Sequence, residues 1–490
     1  MSSLRIDFTR AELMKAIREV RPAVWEIPKN FRPYMNVPVR IYMTKKMLDM
    51  TEDGAIQQAM NVAALPGIQK ASIMLPDAHW GYGFCVGGVA AFDLEEGIVS
   101  PGGIGYDINC GVRFLATNLS LDDLRPRIRE LLRAVERFIA AGVGRGGRIS
   151  LSRAELDELL VDGAKWAVEH GYGFEEDLLH IEDGGRIEGA DPSKVSNRAK
   201  QRGHDQVGSL GSGNHYVEVE VVERIFDNAV AKRMGIYEEG QIGVMIHTGS
   251  RGLGHQVASD YIEVMRRASR KYNLRLRDIQ LACAPFQSPE AQDYLAAMRA
   301  AANFAFANRQ ILTHWMRQAF YEVFGEDVEL KLVYDVAHNI GKVETHKVNG
   351  ETKKVIVHRK GATRGFPAGR PEIPADYRDI GQPILVGGSM REGSYILIGT
   401  NVSLEEVFGS TVHGAGRTLS RKAAKRRFSD SFVRRKLEEY GIYVSAASRG
   451  ELAEEAPEAY KSLEMVVDAA VKAGIARKVV KARPIIVRKG

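Results

Sequence analysis

Apolar and polar positions change period repeatedly along the chain, and each change marks an element. Thr9 followed by Glu12 is a capping-box pattern ahead of AELMKAIREV and predicts a short helix. A second helix is expected over much of Thr44 to Ala64, ending at Pro66-Gly67. ASIMLPDAHWGYGFCVGGVAAFD reads as two apolar strands joined by a structured loop of glycines and aromatics. VRFLATNL is expected as a strand, and LDDLRPRIRELLRAVERFIAAGV as an amphipathic helix with Pro126 near its first turn. Alternation in YVEVEVVERIF, and apolar runs in IGVMIHT and LKLVYDVA, predict three further strands. Long helices are expected from near Gln256 and from Ser288-Pro289 to Phe324, the second opened by a cap and a proline at its first position. KVETHKVNGETKKVIVHRK is a hairpin signature, because Asn349-Gly350 tolerates the positive φ of a tight turn. ILVGGSMREGSYILIGT suggests two strands around a Gly/Ser loop, and RKVVKARPIIVRKG a terminal strand.

No internal repeat, low-complexity linker or break in composition interrupts this succession. It predicts one α+β unit over residues 1–490, with mixed β-sheets at the core and helices at the periphery. With 490 residues, 44% of them hydrophobic, the chain can bury a large core. Three cysteines, Cys85, Cys110 and Cys283, have no regular spacing, which argues against a disulfide framework and for a reducing, cytoplasmic setting. No apolar run approaches the roughly 18 residues a membrane span requires, and the N-terminus has no signal-like apolar segment. A net charge of +6 permits a polyanionic partner without demanding one.

Candidate chemistry collects where the pattern breaks. PGGIGYDINCGVR places Asp107 and Cys110 three residues apart in a glycine-rich turn, a spacing that can aim a carboxylate and a thiolate at one point. GSLGSGNH delivers Asn214 and His215 to the mouth of a strand, and Gly208, Gly211 and Gly213 could offer backbone N–H groups to a phosphate. IGVMIHTGSRGLGH and LKLVYDVAHN each deliver a histidine, His247 and His338, from the end of an apolar strand. In STVHGAGRTLSRKAAKRR, His413 precedes a glycine turn and then a basic helix, whose N-terminus is a ready anion site. Most basic residues from Arg417 to Arg427 are expected to be a solvated face. His79 is expected to be structural, and Cys85 a small buried hydrophobe. Thiolate, imidazole and carboxylate together suit zinc or manganese, and one thiolate among several histidines leaves room for two ions sharing Cys110.

PGGIGYDINCGVR, GSLGSGNH, IHTGSRGLGH, DVAHN, GGSM and HGAGR, in this order, closely resemble the RtcB family of 3′-phosphate RNA-splicing ligases, from about Met35 to Gly490. The resemblance implies joining of RNA 2′,3′-cyclic-phosphate or 3′-phosphate ends to 5′-hydroxyl ends, with GTP and two Mn²⁺ ions, in tRNA splicing or RNA repair. By that likeness Asp107, Cys110 and His215 would hold one ion, and Cys110, His247 and His338 the other. His413 would be the guanylylated residue. Asn214, Glu218, His338, Asn339, Gly387, Gly388, Ser389, Met390, Ser394, Gly414, Ala415, Gly416 and Lys489 match positions around the nucleotide. Arg202 and Arg251 are candidates for RNA phosphates, and archaease is an implied activator. Two rivals make different predictions. A dinuclear metallophosphoesterase would leave His413 without a covalent role, and a non-enzymatic RNA-binding protein would keep only a structural metal.

Overall fold

Two large sheets, mostly antiparallel, frame the molecule in a computed structural model that describes residues 4–490; residues 1–3 of the expected unit lie outside the described residues. The seven-stranded sheet runs in the order Arg18–Arg21, Val24–Ile27, Val39–Tyr42, Ile68–His79, Val86–Asp93, Glu351–Lys360, Asn339–Val348. The eight-stranded sheet runs Leu330–Ala337, Gly111–Ser120, Gln241–Thr248, Tyr216–Ile225, Arg477–Lys489, Ser394–Ile398, Pro383–Gly387, and Tyr443–Ala446 adds in parallel to Arg477–Lys489. Helices cover these sheets, as expected of an α+β chain. No helix among the described residues is long and apolar enough to cross a membrane.

The sheets are stitched by the chain itself. Leu330–Ala337 belongs to one sheet and Asn339–Val348 to the other, so here the backbone passes between them across one residue, His338. The expected hairpin is present, with Asn349 at φ 52° and Gly350 at φ 87° in its turn.

The 36-residue helix Pro289–Phe324 is capped by Ser288 and buried on nearly every side. Phe304 and Ile311 pack into one apolar cluster, and Phe306, Leu312 and Met316 into another. A helix apolar all round belongs inside a protein, and this one also carries the polar residues that brace the site.

Three expected helices differ in detail. The stretch Thr44 to Ala64 is two helices, Lys45–Met50 and Asp53–Val62, because Thr51 turns extended and its hydroxyl donates to the Met47 carbonyl (2.8 Å). Near Pro126, Leu121–Leu124 and Ile128–Phe138 are separated by a tighter turn, since the proline supplies no N–H to an α-helical ladder. The helix expected from Gln256 begins at Arg251 and ends at Lys271. The polar region from His180 to Gly213 contains the helix Asn197–Gly203, capped by the Ser196 hydroxyl.

Candidate active site

Register places the candidate ligands on one level. Gly111 pairs with Thr248 and with Ala337, while His247 pairs with Val112 and with Tyr216. Cys110 immediately precedes Gly111, His215 precedes Tyr216, and His338 follows Ala337. Four neighbouring strands therefore present Cys110, His215, His247 and His338 at the same end of the sheet. Asp107 reaches them from the preceding turn.

The resulting distances are short. Cys110 Sγ lies 3.3 Å from His247 Nε2 and 3.6 Å from His215 Nε2. His247 Nε2 and His338 Nε2 are 3.3 Å apart, and His215 Nε2 is 2.8 Å from Asp107 Oδ2. The donors form two trios, Cys110–His247–His338 and Asp107–Cys110–His215, each with its ligand atoms within 4.8 Å of one another.

The chemistry of these donors fits cations. His215 Nδ1 sits 3.1 Å from the Leu210 carbonyl, which orients the ring and turns Nε2 toward the Asp107 carboxylate. Burial resists ionisation of Asp107, but His215, the Cys110 thiol and Arg251 hold its carboxyl down to about 2. Burial, and then the neighbouring Asp107 carboxylate, push the Cys110 thiol well above its ordinary value. Burial and the adjacent imidazoles keep His247 and His338 well below the usual range, so both rings stay neutral ligands. The mixed sulfur, nitrogen and oxygen set suits zinc or manganese.

The long helix holds the cluster in place. Arg309 donates to the Asn109 carbonyl (2.8 Å) and the Thr248 carbonyl (2.9 Å), fixing the backbone beside Cys110 and His247. Its guanidinium also meets Asp335, which Arg113 engages from another side at 2.7 Å, and all three are fully buried. Asn308 donates to the Ser209 and Gly249 carbonyls, each at 3.1 Å.

His413 follows the short strand Ser410–Val412, and its ring centroid is 4.9 Å from that of His338. Its Nδ1 lies 2.6 Å from Asp77 Oδ2, which also accepts the His413 backbone N–H at 2.9 Å. Asp77 comes from the seven-stranded sheet and is fully buried. A cavity of about 300 Å³ opens over His413 and the ligand cluster.

A family model described as tRNA-splicing ligase RtcB matches residues 58–490. The chain belongs to the RtcB family. Proteins described as tRNA-splicing ligase RtcB include one from Thermococcus kodakarensis, 55% identical over 97% of this chain and 99% of its own length. Those from Archaeoglobus fulgidus (53%; 97% and 99%) and Methanococcus maripaludis (48%; 98% and 100%) are similar across equally full lengths.

In this RtcB-family chain the cavity is lined by most of the residues expected at a nucleotide: Asn214, Glu218, His338, Asn339, Gly387 to Met390, Gly414 to Gly416 and Lys489. Asn339 is also a brace, donating to the Asp107 carbonyl (3.0 Å) and accepting from the Gly361 N–H (2.8 Å). Glu218 Oε1 and Ser389 Oγ are buried without a hydrogen-bond partner. Lys489 lies within the strand Arg477–Lys489, paired with Tyr216, its ammonium 5.3 Å from the Tyr216 ring centroid and 3.9 Å from Glu455.

Four expected site residues fall outside the cavity lining, the first of them His215, which stands behind Cys110 and Asp107. Ser394 is fully buried and donates to Glu220 Oε2 at 2.6 Å. Arg202 is exposed and donates to Gln256 (3.0 Å), and Arg251 donates to Ser209 Oγ (3.1 Å). The glycine turn after His413 does not run directly into the basic helix. Arg417 to Leu419 intervene, and Ser420 caps Arg421–Arg427 with its own hydroxyl.

Other lining residues carried no signal of their own in the sequence. Arg421, Lys422, Lys425, Arg426 and Arg427 are exposed as expected of a solvated face, while Arg417 and Arg421 line the cavity, held by Glu455 and Glu454. Tyr106, Lys360 and Tyr460 line it too. His79 is hydrogen-bonded as expected of a structural histidine, Nδ1 meeting the Asp77 carbonyl at 2.9 Å, and it also lines the cavity. Asp77, one residue of a nearly wholly buried strand, had only its neighbour His79 to draw notice.

Proposed function

We propose that residues 1–490 act as one GTP- and Mn²⁺-dependent RNA ligase in the cytoplasm, joining 2′,3′-cyclic-phosphate or 3′-phosphate ends to 5′-hydroxyl ends in tRNA splicing and RNA repair. The observation that carries this reading is His413, poised by a buried carboxylate against a two-trio donor cluster in one cavity. Asp107, Cys110 and His215 would hold one cation and Cys110, His247 and His338 the other. When bound, such a pair supplies Lewis-acid compensation for phosphate charge that otherwise repels a nucleophile.

Asp77 accepts the Nδ1 proton of His413, which leaves Nε2 as the free lone pair. Nε2 attacks the α-phosphorus of GTP, a P–N bond forms and diphosphate leaves. An RNA 3′-phosphate oxygen next displaces His413, taking the guanylyl group as a diphosphate linkage. A 5′-hydroxyl finally attacks the RNA phosphorus, and GMP departs. The unpartnered Glu218 oxygen suits the N1 and N2 donors of guanine, and unpartnered Ser389 Oγ offers a further polar contact inside the cavity.

Incubation with α-labelled GTP and Mn²⁺ tests the reading. The expected result is an acid-labile, base-stable adduct that maps to His413 and is lost in His413→Ala, which still binds GTP. A protein that hydrolyses RNA phosphates and acquires no label would instead be a metallophosphoesterase.

A further inference from the structure

One large aromatic side chain, next in the chain to the cavity-lining His79, is left in water. Trp80 is 48% exposed, whereas Trp25 and Trp166 are buried. It sits in the loop between strands Ile68–His79 and Val86–Asp93, one residue after His79. A Cβ on Gly54 would lie 2.4 to 2.9 Å from three atoms of the indole, so one ring face rests flat on the helix Asp53–Val62. The exposure belongs to the other side of the ring.

The loop that presents this ring is clamped. The Trp80 N–H donates to Glu52 (3.1 Å), and the Gly81 N–H and carbonyl both engage the Gln58 amide, at 3.0 and 2.7 Å. The Gly83 N–H donates to Gln280 (2.9 Å), and Lys360 Nζ donates to the carbonyls of Tyr82 and Phe84. A rigid indole, covered on one face and wet on the other, loses little entropy when a flat partner covers it.

Its position relates it to the chemistry. His79 Nδ1 would lie 3.3 Å from a Cβ on Gly416, three residues after His413. A second cavity of about 140 Å³, lined by Glu52, His79, Arg417 and Lys461, shares His79 and Arg417 with the main one. Arg417, paired with Glu455 at 3.1 Å, and Lys461, which donates to the Ala78 carbonyl at 2.6 Å, set two fixed cations against Glu52 there, a placement that suits a phosphate backbone.

We infer that the Trp80 indole is a stacking platform for a nucleobase of an RNA end that reaches His413. Base–aromatic stacking beside positive charge is how single strands are held without sequence preference. This role presupposes the RNA-joining activity proposed above.

The test compares wild type, Trp80→Leu and Trp80→Phe, using short RNAs ending in a 3′-phosphate or a 5′-hydroxyl. In wild type, one of the two RNAs quenches tryptophan emission, and Trp80→Leu loses that quench. The KM for that RNA rises about tenfold or more in Trp80→Leu, with a smaller change in kcat, and Trp80→Phe recovers most of it. The strand that quenches identifies which end stacks. Equal quenching and equal KM in wild type and Trp80→Leu would overturn the platform, as would a KM that Leu preserves and Phe does not. If Trp80→Leu fails to fold, absence of RNA quenching in wild type alone overturns it. Absence of a His413 adduct in wild type would instead sink the ligase reading, so the two failures are separable.

Discussion

At His413 the decisive contact is with Asp77, because a carboxylate 2.6 Å from Nδ1 fixes both ring orientation and tautomer. Asp77→Asn keeps the shape but presents an amide that can donate toward Nδ1, favouring the wrong tautomer. Formation of the labelled His413 adduct should slow by about 10²-fold or more, measured in single-turnover experiments with α-labelled GTP. Cys110 is the one side chain common to both trios. Cys110→Ala should lower bound manganese from two ions per chain and abolish guanylylation, and full metal content with normal labelling would refute a shared thiolate. These donors were legible in the sequence because they stand at or beside the ends of apolar strands, most of them in glycine-rich turns. Asp77 was not, because it lies within a strand buried over most of its length, where a carboxylate leaves no periodic trace.

Elements carry the site through buried polar pairs. Arg359, on strand Glu351–Lys360, donates to both Glu344 oxygens (2.6 and 2.9 Å). It also holds Ser410 Oγ (2.9 Å) and the Phe408 carbonyl (2.7 Å), anchoring the strand that leads into His413. Burial opposes ionisation of Glu344, but Arg359 and His346 hold its carboxyl far below the usual range. A depressed carboxylate contributes stability that is present above its unfolded value of about 4.3 and is lost as pH falls below it. Urea unfolding at pH 7 and pH 3 should therefore show a smaller loss in Glu344→Gln than in wild type. The helix at Arg251–Lys271 teaches a complementary lesson about legibility. Its first turns contain Gly252 and Gly254, which read as loop, yet a Cβ at Gly254 would lie 1.8 Å from Ser250 Oγ. Close packing, not turn geometry, accounts for that glycine.

On the scale of the whole molecule, the site lies where distant segments meet. The hairpin, the terminal strand and the strands from Ala71 onward that line the site were visible as alternation and turn chemistry. Arg18–Arg21, Val24–Ile27 and Val39–Tyr42 were not, and neither was the order of strands in space, since periodicity says nothing about which strands pair. Lys489 shows the consequence: its place in a paired strand beside Tyr216 and Glu455 comes only from tertiary context. Burial lowers its ammonium's pKa, and the carboxylates of Glu455 and Glu218 oppose that shift. Lys489→Met should lower the denaturant midpoint only modestly, because Glu455 keeps Arg417 at 3.1 Å when the more distant lysine is lost. GTP labelling should fall with it; labelling and unfolding equal to wild type would show that the lysine serves neither.

The row of donors at the end of the eight-stranded sheet has a consequence for how the centre is made. Adjacent strands stand about 4.8 Å apart wherever a β-ladder forms. Side chains projecting from consecutive ladder ends therefore arrive with a spacing that a pair of metal–ligand bonds can span, before any ion is present. Were ions held there, the bite of the centre would be inherited from the pitch of the sheet, and the entropy of gathering the donors would be spent during folding and not on metal capture. Donors exchanged along that row would change which ion is held while leaving the frame that holds it intact.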